Sequence, residues 1–299
     1  MRKLIRSLTP NVLLEKYREY KKEKIRKNLA QKAAKGQVIT VRILAEQLRT
    51  MGLKAGDSLL LHSSMSRMGY LEKGPQTVID AVLEVIGPEG NLLMPSSPNP
   101  AFQLDYIRSH PHFDVRTDPS VMGAITEHFR KLPGVKRSLS PTEPVCAYGP
   151  LADWLTEGHR ARLTPYDRFS PFHRLTEIGG KILYAGVTLA QAGTSLHLLE
   201  DLVDDFPYPV YYHIEFDVSV TDFDGMTYSH KVKVHNPVQS AKRQCDALIT
   251  MFVNQSAMKH TRLGEAPSLL ADAARMLEVM IESYHNRGIT MYTPYGTKD

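Results

Sequence analysis

The sequence TSLHLLED contains the residue types that proton-transfer chemistry requires. It begins at Thr194, and its histidine and glutamate, His197 and Glu200, are three positions apart, so on a helix they share one face. A histidine beside a carboxylate can accept a proton near neutral pH. The hydroxyls of Thr194 and Ser195 can accept from free backbone N–H groups, which predicts that they cap the helix. The stretch is therefore either a catalytic base with its carboxylate or an ordinary surface pair.

Predicted strands bring other parts of the chain to this stretch. The apolar run Lys181–Val187 precedes it and predicts a buried strand. Two further strands are predicted at Ser58–Leu61 and Asn91–Met94, with a helix over Gln76–Ile86 between them, which makes a βαβ unit with a right-handed crossover. Since α/β proteins place their chemistry beyond the carboxyl ends of strands, the loop after the first strand is a second candidate.

That loop is rich in hydroxyl groups. It reads HSSMS over residues 62–66. Its small side chains leave several backbone N–H groups available to phosphate or carbonyl oxygens. We therefore expect it to bind an anion or a carbonyl group.

Residues 95–120 are predicted to form a long polar loop. His110, His112 and Asp114 lie within it at a spacing that superficially resembles a metal site. A metal-dependent hydrolase that uses these three residues is one alternative function. The other interpretation is that they are ordinary loop side chains.

The C-terminal third changes its hydrophobic pattern. Apolar residues alternate from Ile214 to Val234 around a turn signal at Asp224-Gly225, which predicts an antiparallel hairpin with one wet face. Helical spacing from Pro267 to Tyr284 predicts a final helix. Shorter elements are predicted as a strand at 145–148 and helices at 121–131 and 151–158.

Positive charge is concentrated near the start of the chain. The 299 residues carry a net charge of +5, yet residues 1–35 hold 12 Lys and Arg against 3 Glu, which leaves 25 basic and 29 acidic side chains elsewhere. We expect a basic helical extension over residues 1–36 and a single domain over residues 37–299. The extension either packs on its own domain or on a homodimer partner, or makes peripheral contact with an anionic membrane.

Composition and motifs argue against several classes of protein. There is no run of 18 apolar residues and no secretory signal in MRKLIRSLTP. Cys146 and Cys245 fit neither a zinc motif nor a disulfide framework, so we expect reduced thiols in the cytoplasm, at the inner face of the membrane if the extension binds there. The chain lacks GxGxxG, GxxxxGK[ST], GxSxG and HExxH, and no nucleic-acid partner is expected.

Several short segments together resemble one family. In chain order they are LLHSS (60–64), GPQTV (74–78), VIGPEG (85–90), LMP (93–95), Met122-Gly123, Arg137-Ser138, Ser170-Pro171 and TSLH (194–197). Each is weak alone, but the ordered set is fairly specific. Over roughly residues 40–205, their order and spacing resemble those of the aminoglycoside 3-N-acetyltransferase-like enzymes, an antibiotic N-acetyltransferase family.

The resemblance implies a fold and a reaction. The fold would be α/β, with a central mixed β-sheet flanked by helices and the antiparallel hairpin in the C-terminal third. The reaction would be N-acylation of an amine by acetyl-CoA or another acyl-CoA, without a metal. His197 maps onto the family's catalytic base and Glu200 onto its neighbouring carboxylate. Backbone N–H groups of residues 63–66, or a hydroxyl such as that of Thr194, could stabilise the oxyanion.

The resemblance also assigns binding residues. CoA is expected along the HSS loop, with arginines as phosphate partners. The candidates for cofactor binding are His62, Ser63, Ser64, Ser66, Arg67, Arg137 and Ser138. The candidates for contact with the acceptor are Tyr70, Asp105, Glu143 and Asp201.

Two positions depart from the family pattern. Ser140 stands where the family usually has histidine, and Glu143 lies in a segment that more commonly reads Thr-His-Ser. Because the basic extension suits an acceptor at a membrane face or one that carries phosphate, our hypothesis is N-acetylation of an amino sugar in surface-polysaccharide biosynthesis. The alternatives are an aminoglycoside 3-N-acetyltransferase that confers antibiotic resistance, and a non-catalytic binding protein with the CoA-binding fold.

Overall fold

The computed structural model describes residues 11–100 and 102–297. Its strands are β1 (Val38–Ile39), β2 (Ser58–Ser63), β3 (Tyr70–Leu71), β4 (Asn91–Pro95), β5 (His112–Asp114), β6 (Lys136–Arg137), β7 (Val145–Tyr148), β8 (Lys181–Ala185), β9 (Phe216–Thr221), β10 (Thr227–Val232), β11 (Met258–Leu263) and β12 (Ala266–Asp272). Its α-helices are α1 (Asn11–Ala34), α2 (Val41–Thr50), α3 (Pro75–Ile86), α4 (Gln103–Ser109), α5 (Ala124–Phe129), α6 (Ala152–Glu157), α7 (Pro171–Glu177), α8 (Leu189–Ala192), α9 (Leu198–Leu202), α10 (Pro237–Ser240), α11 (Ile249–Asn254) and α12 (Ala273–Arg287). Short 3₁₀ helices lie at Met65–Arg67, Thr194–His197 and Cys245–Leu248.

A seven-stranded mixed sheet forms the centre of the fold. Its strand order is β11-β12-β8-β2-β4-β7-β6. β2 is parallel to both β4 and β8, and the other neighbours are antiparallel. The predicted mixed sheet and the β2-α3-β4 unit are confirmed. β2 extends to Ser63, so His62 and Ser63 of the predicted HSS loop (residues 62–66) lie at the end of the strand. Because β2 and β8 run side by side in the same direction, the rest of that loop and the segment that contains His197 leave the sheet at the same edge.

The sheet separates two hydrophobic cores. Alternate side chains of a strand point to opposite faces. Leu60 packs in one core with α6, α7, α9, α11 and α12, whereas Leu59 and Leu61 pack in the other with α2 and α3. A strand buried on both faces needs a continuous apolar run, which β2 has.

The C-terminal hairpin is confirmed, but it belongs to a separate sheet. β9 and β10 pair in antiparallel fashion, and β5 adds in parallel to β9. Since β5 and α4 lie within residues 95–120, the prediction of an unstructured loop there is wrong. Leu104 of α4 and Phe113 of β5 are buried against valines of the hairpin. These are long-range contacts, which local polarity does not reveal.

The predicted final helix begins later than expected. Residues 266–272 form β12, which pairs with β8 and β11, and α12 starts only at Ala273. The side chain of Asp272 caps α12 by accepting from the N–H of Arg275 at 2.9 Å. Leu269 and Leu270 have helical spacing with later apolar residues, but they point into the two different cores of the sheet.

The basic segment near the start of the chain is helical over Asn11–Ala34, and residues 1–10 of the predicted extension lie outside the described residues. In its last part Leu29, Lys32 and Ala33 are half-buried, and Lys32 pairs with Glu265. Tyr17 and Tyr20 are exposed. None of the helices in the described part of the chain is long and apolar enough to cross a membrane.

Candidate active site

His197 lies in a 3₁₀ turn rather than in the regular helix that the sequence predicts. The turn is preceded by Gly193 as its N-cap residue, and no side chain caps it, so the predicted capping by Thr194 and Ser195 is wrong. The hydroxyl of Thr194 instead lies 3.3 Å from Nε2 of His62. The three-residue spacing still holds, because Nδ1 of His197 is 2.6 Å from Oε2 of Glu200.

Protein groups surround the carboxylate of Glu200. Its side chain has no solvent exposure. The phenol of Tyr292 donates to Oε1 at 2.6 Å, and Nε2 of His235 lies 3.4 Å from Oε2. The His235 contact lies off the hydrogen-bond direction and leaves that ring nitrogen without a hydrogen-bond partner. A carboxylate removed from water needs such partners to remain charged.

Burial and pairing set the protonation of the two groups. Burial lowers the pKa of His197 to about 3, although the charge of Glu200 acts to raise it. Burial acts to raise the pKa of Glu200, but its contacts with His197 and His235 hold that pKa below its usual range. The pair is therefore a neutral imidazole and a carboxylate at neutral pH. Because Nδ1–H donates to Glu200, the lone pair of His197 is on Nε2.

Aromatic rings hold the imidazole in place. The ring of Tyr166 stacks on His197 at a centroid distance of 4.8 Å, and His235 packs against His197 at 4.3 Å. Tyr211 stacks on the far side of His235 at 5.2 Å. This packing fixes the orientation of His197 and limits access of water to it.

His197 opens onto a cleft of about 450 Å³. The cleft wall includes polar side chains from several distant parts of the chain: Ser97, Gln103, Glu143, Thr194, His235 and Arg243. With Nδ1 engaged by Glu200, Nε2 is the nitrogen of His197 available to a bound molecule. Several polar groups around one base are the expected composition of a small-molecule site.

Glu143 lies on the cleft wall, where an acceptor contact was expected. Nε2 of Gln103 donates to its Oε1 at 2.7 Å, and Oε1 of Gln103 accepts from the backbone N–H of His235 at 2.9 Å. Burial raises the pKa of Glu143 to about 7, against the opposing effects of Gln103 and Arg243. The hydroxyl of Ser140 accepts from the N–H of Glu143 at 3.3 Å, so Ser140 supports the backbone here.

Asp201 lies behind the site rather than in it. Its Oδ1 accepts from the phenol of Tyr211 at 2.6 Å, and its Oδ2 accepts from the N–H of Tyr166 at 3.2 Å. Burial raises the pKa of Asp201 to about 6. It is absent from the cleft wall formed by the described residues, so the geometry favours support of the aromatic rings over contact with the acceptor.

The HSS loop lies beside the segment of His197. His62 stacks on Tyr184 at 5.1 Å, and burial lowers its pKa to about 3, so it is neutral. Ser63 and Ser64 are half-buried, whereas Ser66 and Arg67 are exposed. A Cβ at Gly186, whose φ is +72°, would lie 3.1 Å from Cβ of Arg67, so glycine permits the close packing of this loop on the end of β8.

Arg137 and Ser138 are structural in this fold. Nε of Arg137 donates to Oγ of Ser96 at 2.9 Å, and its other nitrogens donate to backbone carbonyls, including that of Asp118 at 2.5 Å. The hydroxyl of Ser138 bonds to Nδ1 of His159 and accepts from the N–H of Val145, both at 2.8 Å. Both side chains are almost fully buried. The expectation that they bind the cofactor has no support in this geometry.

Tyr70 and Asp105 lie away from the cleft wall formed by the described residues. Tyr70 belongs to β3, which pairs only with β1 in a small separate sheet of the described chain. Asp105 is exposed on α4, while Gln103 of the same helix is buried beside Glu143. The expected acceptor contacts of Tyr70 and Asp105 are therefore not supported.

The predicted metal ligands do not come together. Nδ1 of His112 bonds to Ser219 at 2.7 Å, and Asp114 pairs with Arg116 at 2.7 Å. In the described part of the chain, the residues close enough to share a metal are His197, Glu200 and His235. A metal centre at His110, His112 and Asp114 is therefore wrong, and the hydrolase alternative loses its ligands.

Sequence patterns did not reveal several residues of the site. Gln103, Tyr166, His235, Arg243 and Tyr292 all contact the base, its carboxylate or the cleft. They lie in short loops or, for Gln103, on α4, where the polar sequence had predicted a loop. None of them lies in a motif or at a spacing that indicates a site, so the sequence offered no signal for them.

The chain is similar to known proteins over most of its length. Residues 60–285 match the family model described as aminoglycoside 3-N-acetyltransferase. Aminoglycoside N(3)-acetyltransferase VII of Streptomyces paromomycinus is 34% identical over 174 residues, which are 54% of this chain and 60% of that protein. The chain thus aligns with about three fifths of the length of this curated relative.

Solved structures align over more of the chain. A structure described as AAC-IIIb binary with CoASH has a TM-score of 0.71 and 26% identity, and covers 88% of this chain and 99% of its own. One described as AAC-VIa bound to sisomicin has a TM-score of 0.67 and 27% identity, and covers 82% of this chain and 96% of its own. With the family model matching most of the sequence, this chain belongs to the aminoglycoside 3-N-acetyltransferase family.

Proposed function

We propose that this chain transfers the acetyl group of acetyl-CoA to an amine of an aminoglycoside or a related amino sugar. The observation that carries the proposal is the His197–Glu200 pair, whose Nε2 is free to face a cleft that also contains Glu143. The relatives support the choice of reaction by their names. One solved relative is described with CoASH and another with sisomicin.

Proton removal is the role that His197 would have. An amine attacks a carbonyl only as its free base, so a group near it must accept a proton. Nε2 of His197 has the lone pair for this, and burial keeps the ring neutral until the proton arrives. Glu200, held at Nδ1, stabilises the imidazolium that results. Neither Cys146 nor Cys245 is needed, so direct transfer is the simplest route.

The loop after β2 fits the acyl donor. Acetyl-CoA, when bound, supplies an acetyl thioester: the N–C bond forms, the C–S bond breaks, and the thiol leaves with the proton. Ser66 and Arg67 are exposed beside the edge at which β2 and β8 end. Arg67 makes no ion pair within the described residues, so its charge is available to a phosphate. The hydroxyl of Thr194 would face the acyl oxygen.

Glu143 supplies the contact that an amine-rich acceptor needs. Its Oε1 is bonded to Gln103, which leaves Oε2 for a ligand. Aminoglycosides carry several ammonium groups, and a carboxylate in a partly dry cleft binds one of them more strongly than it would in water. The family model and the relatives named above are described as aminoglycoside acetyltransferases, so the aminoglycoside alternative is better supported than an acceptor from surface-polysaccharide biosynthesis.

Turnover of acetyl-CoA against a panel of acceptors tests the proposal. The panel should include aminoglycosides and nucleotide-linked amino sugars. Release of the CoA thiol measures turnover, and mass spectrometry identifies the acetylated product. We expect aminoglycosides to be acetylated. Turnover of the nucleotide-linked sugars alone would replace the acceptor that we propose. Binding of CoA with no turnover of any amine would favour the non-catalytic alternative.

His197→Gln should lower the turnover rate by about 100- to 10,000-fold, because the general base is lost. Calorimetry should show that CoA still binds, since the HSS loop is unchanged. His260→Gln is the matched control, because His260 is exposed on β11 and far from this chemistry in sequence and sheet order. Near-normal turnover of His197→Gln would remove His197 from the role of base.

A further inference from the structure

Tyr292 lies on the segment that follows α12, beyond the residues 60–285 that match the family model. Its phenol donates to Oε1 of Glu200 at 2.6 Å. Oε2, the other oxygen of the same carboxylate, is bonded to His197. The two oxygens of Glu200 therefore join the base to the C-terminal segment of the chain.

The direction of the Tyr292 hydrogen bond follows from its neighbours. Nε of Arg243 donates to the phenol oxygen at 3.4 Å, and a guanidinium can only donate. The phenol must therefore send its own proton to Glu200. The ring is fixed by Tyr208, whose centroid is 5.3 Å away, and the backbone N–H of Tyr292 donates to Oγ1 of Thr290 at 3.0 Å.

We propose that Tyr292 is a positioning residue for the catalytic base, and that it acts by holding Glu200 anionic and aligned with His197. This inference rests on the transfer reaction proposed above. Tyr292 is not on the wall of the cleft in the described part of the chain, so it acts through Glu200 rather than on a ligand. The C-terminal segment is then part of the active site.

Loss of the Tyr292 hydroxyl should raise the apparent pKa of His197 and Glu200. No other side chain among the described residues donates a hydrogen bond to Oε1 of Glu200, so its removal leaves a buried charged acceptor unsatisfied. The carboxylate becomes easier to protonate, and it also holds the proton of His197 more strongly. Both effects raise the apparent pKa of the coupled groups, which are His197, Glu200 and the neighbouring His235, whose Nε2 lies 3.4 Å from Oε2 of Glu200. The pair then reaches its neutral-base and carboxylate state only at higher pH.

Tyr292→Phe tests the proposal, because it keeps the packed ring and removes only the hydroxyl. We expect kcat to fall by roughly 10- to 100-fold, because Glu200 is no longer held in line with His197, with the KM for acetyl-CoA and for the acceptor almost unchanged. The acid limb of the kcat–pH profile should move to higher pH. Tyr295→Phe is the matched control, since Tyr295 is 79% exposed. It should leave both kcat and the acid limb of the kcat–pH profile unchanged.

A readout that needs no turnover separates this inference from the proposed function. The imidazole NMR signals of His197, assigned by their loss in His197→Gln, should titrate at higher pH in Tyr292→Phe than in the unaltered protein. A lower kcat with an unmoved acid limb and an unmoved titration would show a packing role only, and would overturn the proposal. If no amine is acetylated but the titration moves, the proposed function fails and the role of Tyr292 stands.

Discussion

His197 is buried and Glu143 is half-buried, and loss of contact with water has opposite consequences for their charge. Burial disfavours the charged form of any group. For His197 this lowers the pKa to about 3 and yields a neutral base. For Glu143 it raises the pKa to about 7, so the carboxylate forms only toward neutral pH. One cleft can thus hold a proton acceptor and a titratable anion side by side.

Glu143→Gln is expected to change the pH dependence of acceptor binding. In the unaltered protein the KM for an aminoglycoside should fall as the pH rises through about 7, because Glu143 then loses its proton and binds ammonium as an anion. In Glu143→Gln this fall should disappear, and KM at pH 8 should be about 10-fold higher. Steady-state kinetics between pH 5.5 and 8.5, in roughly half-unit steps, would measure it.

Asp105→Asn is the control for that series, because Asp105 is an exposed carboxylate on the same helix as Gln103. It should leave the pH dependence of KM intact. An unchanged dependence in Glu143→Gln would show that Glu143 does not bind the acceptor.

At the scale of elements, two arginines expected to bind the cofactor have different surroundings. Arg137 of β6 holds the segment that connects β4 to α5, with its donors on Ser96, Val115 and Asp118. It also lies over the ring of Phe113 at 4.7 Å. Arg67 lies in the 3₁₀ turn after β2 and is exposed. The first position organises backbone, whereas the second presents charge to solvent.

Exchange of each arginine should separate stability from cofactor affinity. Arg137→Lys removes most of the N–H donors of the guanidinium and should lower the free energy of unfolding by about 2 to 3 kcal/mol. The folded variant should show little change in the KM for acetyl-CoA. Arg67→Gln should raise that KM and leave stability unchanged. Chemical denaturation and steady-state kinetics on both variants measure the difference. A higher KM for acetyl-CoA in Arg137→Lys, with no change in KM for Arg67→Gln, would instead assign the phosphate contact to Arg137.

At the scale of the whole molecule, the described residues of α1 are not part of the candidate active site. Its described contacts with the rest of the chain include the pair Lys32–Glu265 and the half-buried Leu29 and Ala33. Its charged and apolar residues are spread around the helix rather than segregated on faces, which gives an interfacial helix little apolar surface to insert. Contact with a membrane, like assembly into a homodimer, stays a prediction.

Removal of residues 1–34 is expected to leave kcat and KM unchanged, because the described residues of α1 are absent from the cleft wall. The basic charge lost with it should abolish any binding to anionic vesicles, which sedimentation with phosphatidylserine-containing and neutral vesicles would measure. A large loss of activity in this variant would show that α1 supports the catalytic domain. Equal sedimentation before and after truncation would remove the membrane role.

The sequence alone determined those features that local spacing controls. The apolar runs of β2, β4 and β8 predicted buried strands, and the three-residue spacing placed Glu200 beside His197 even though the backbone there is a 3₁₀ turn. The ordered motifs indicated the family. Each of these signals depends on residues that are neighbours in the chain, so no knowledge of the tertiary structure was required.

The tertiary structure decided which side chains complete the site. Gln103, His235 and Tyr292 are far from Glu143 and Glu200 in sequence, yet each contacts one of them. Their contacts form only when separate parts of the chain meet in the folded protein, and no local periodicity in the sequence predicts such a meeting. For the same reason the sequence predicted a helix where β12 lies. It also suggested Arg137 as a phosphate ligand, whereas the N–H groups of Arg137 donate to Ser96 and to backbone carbonyls.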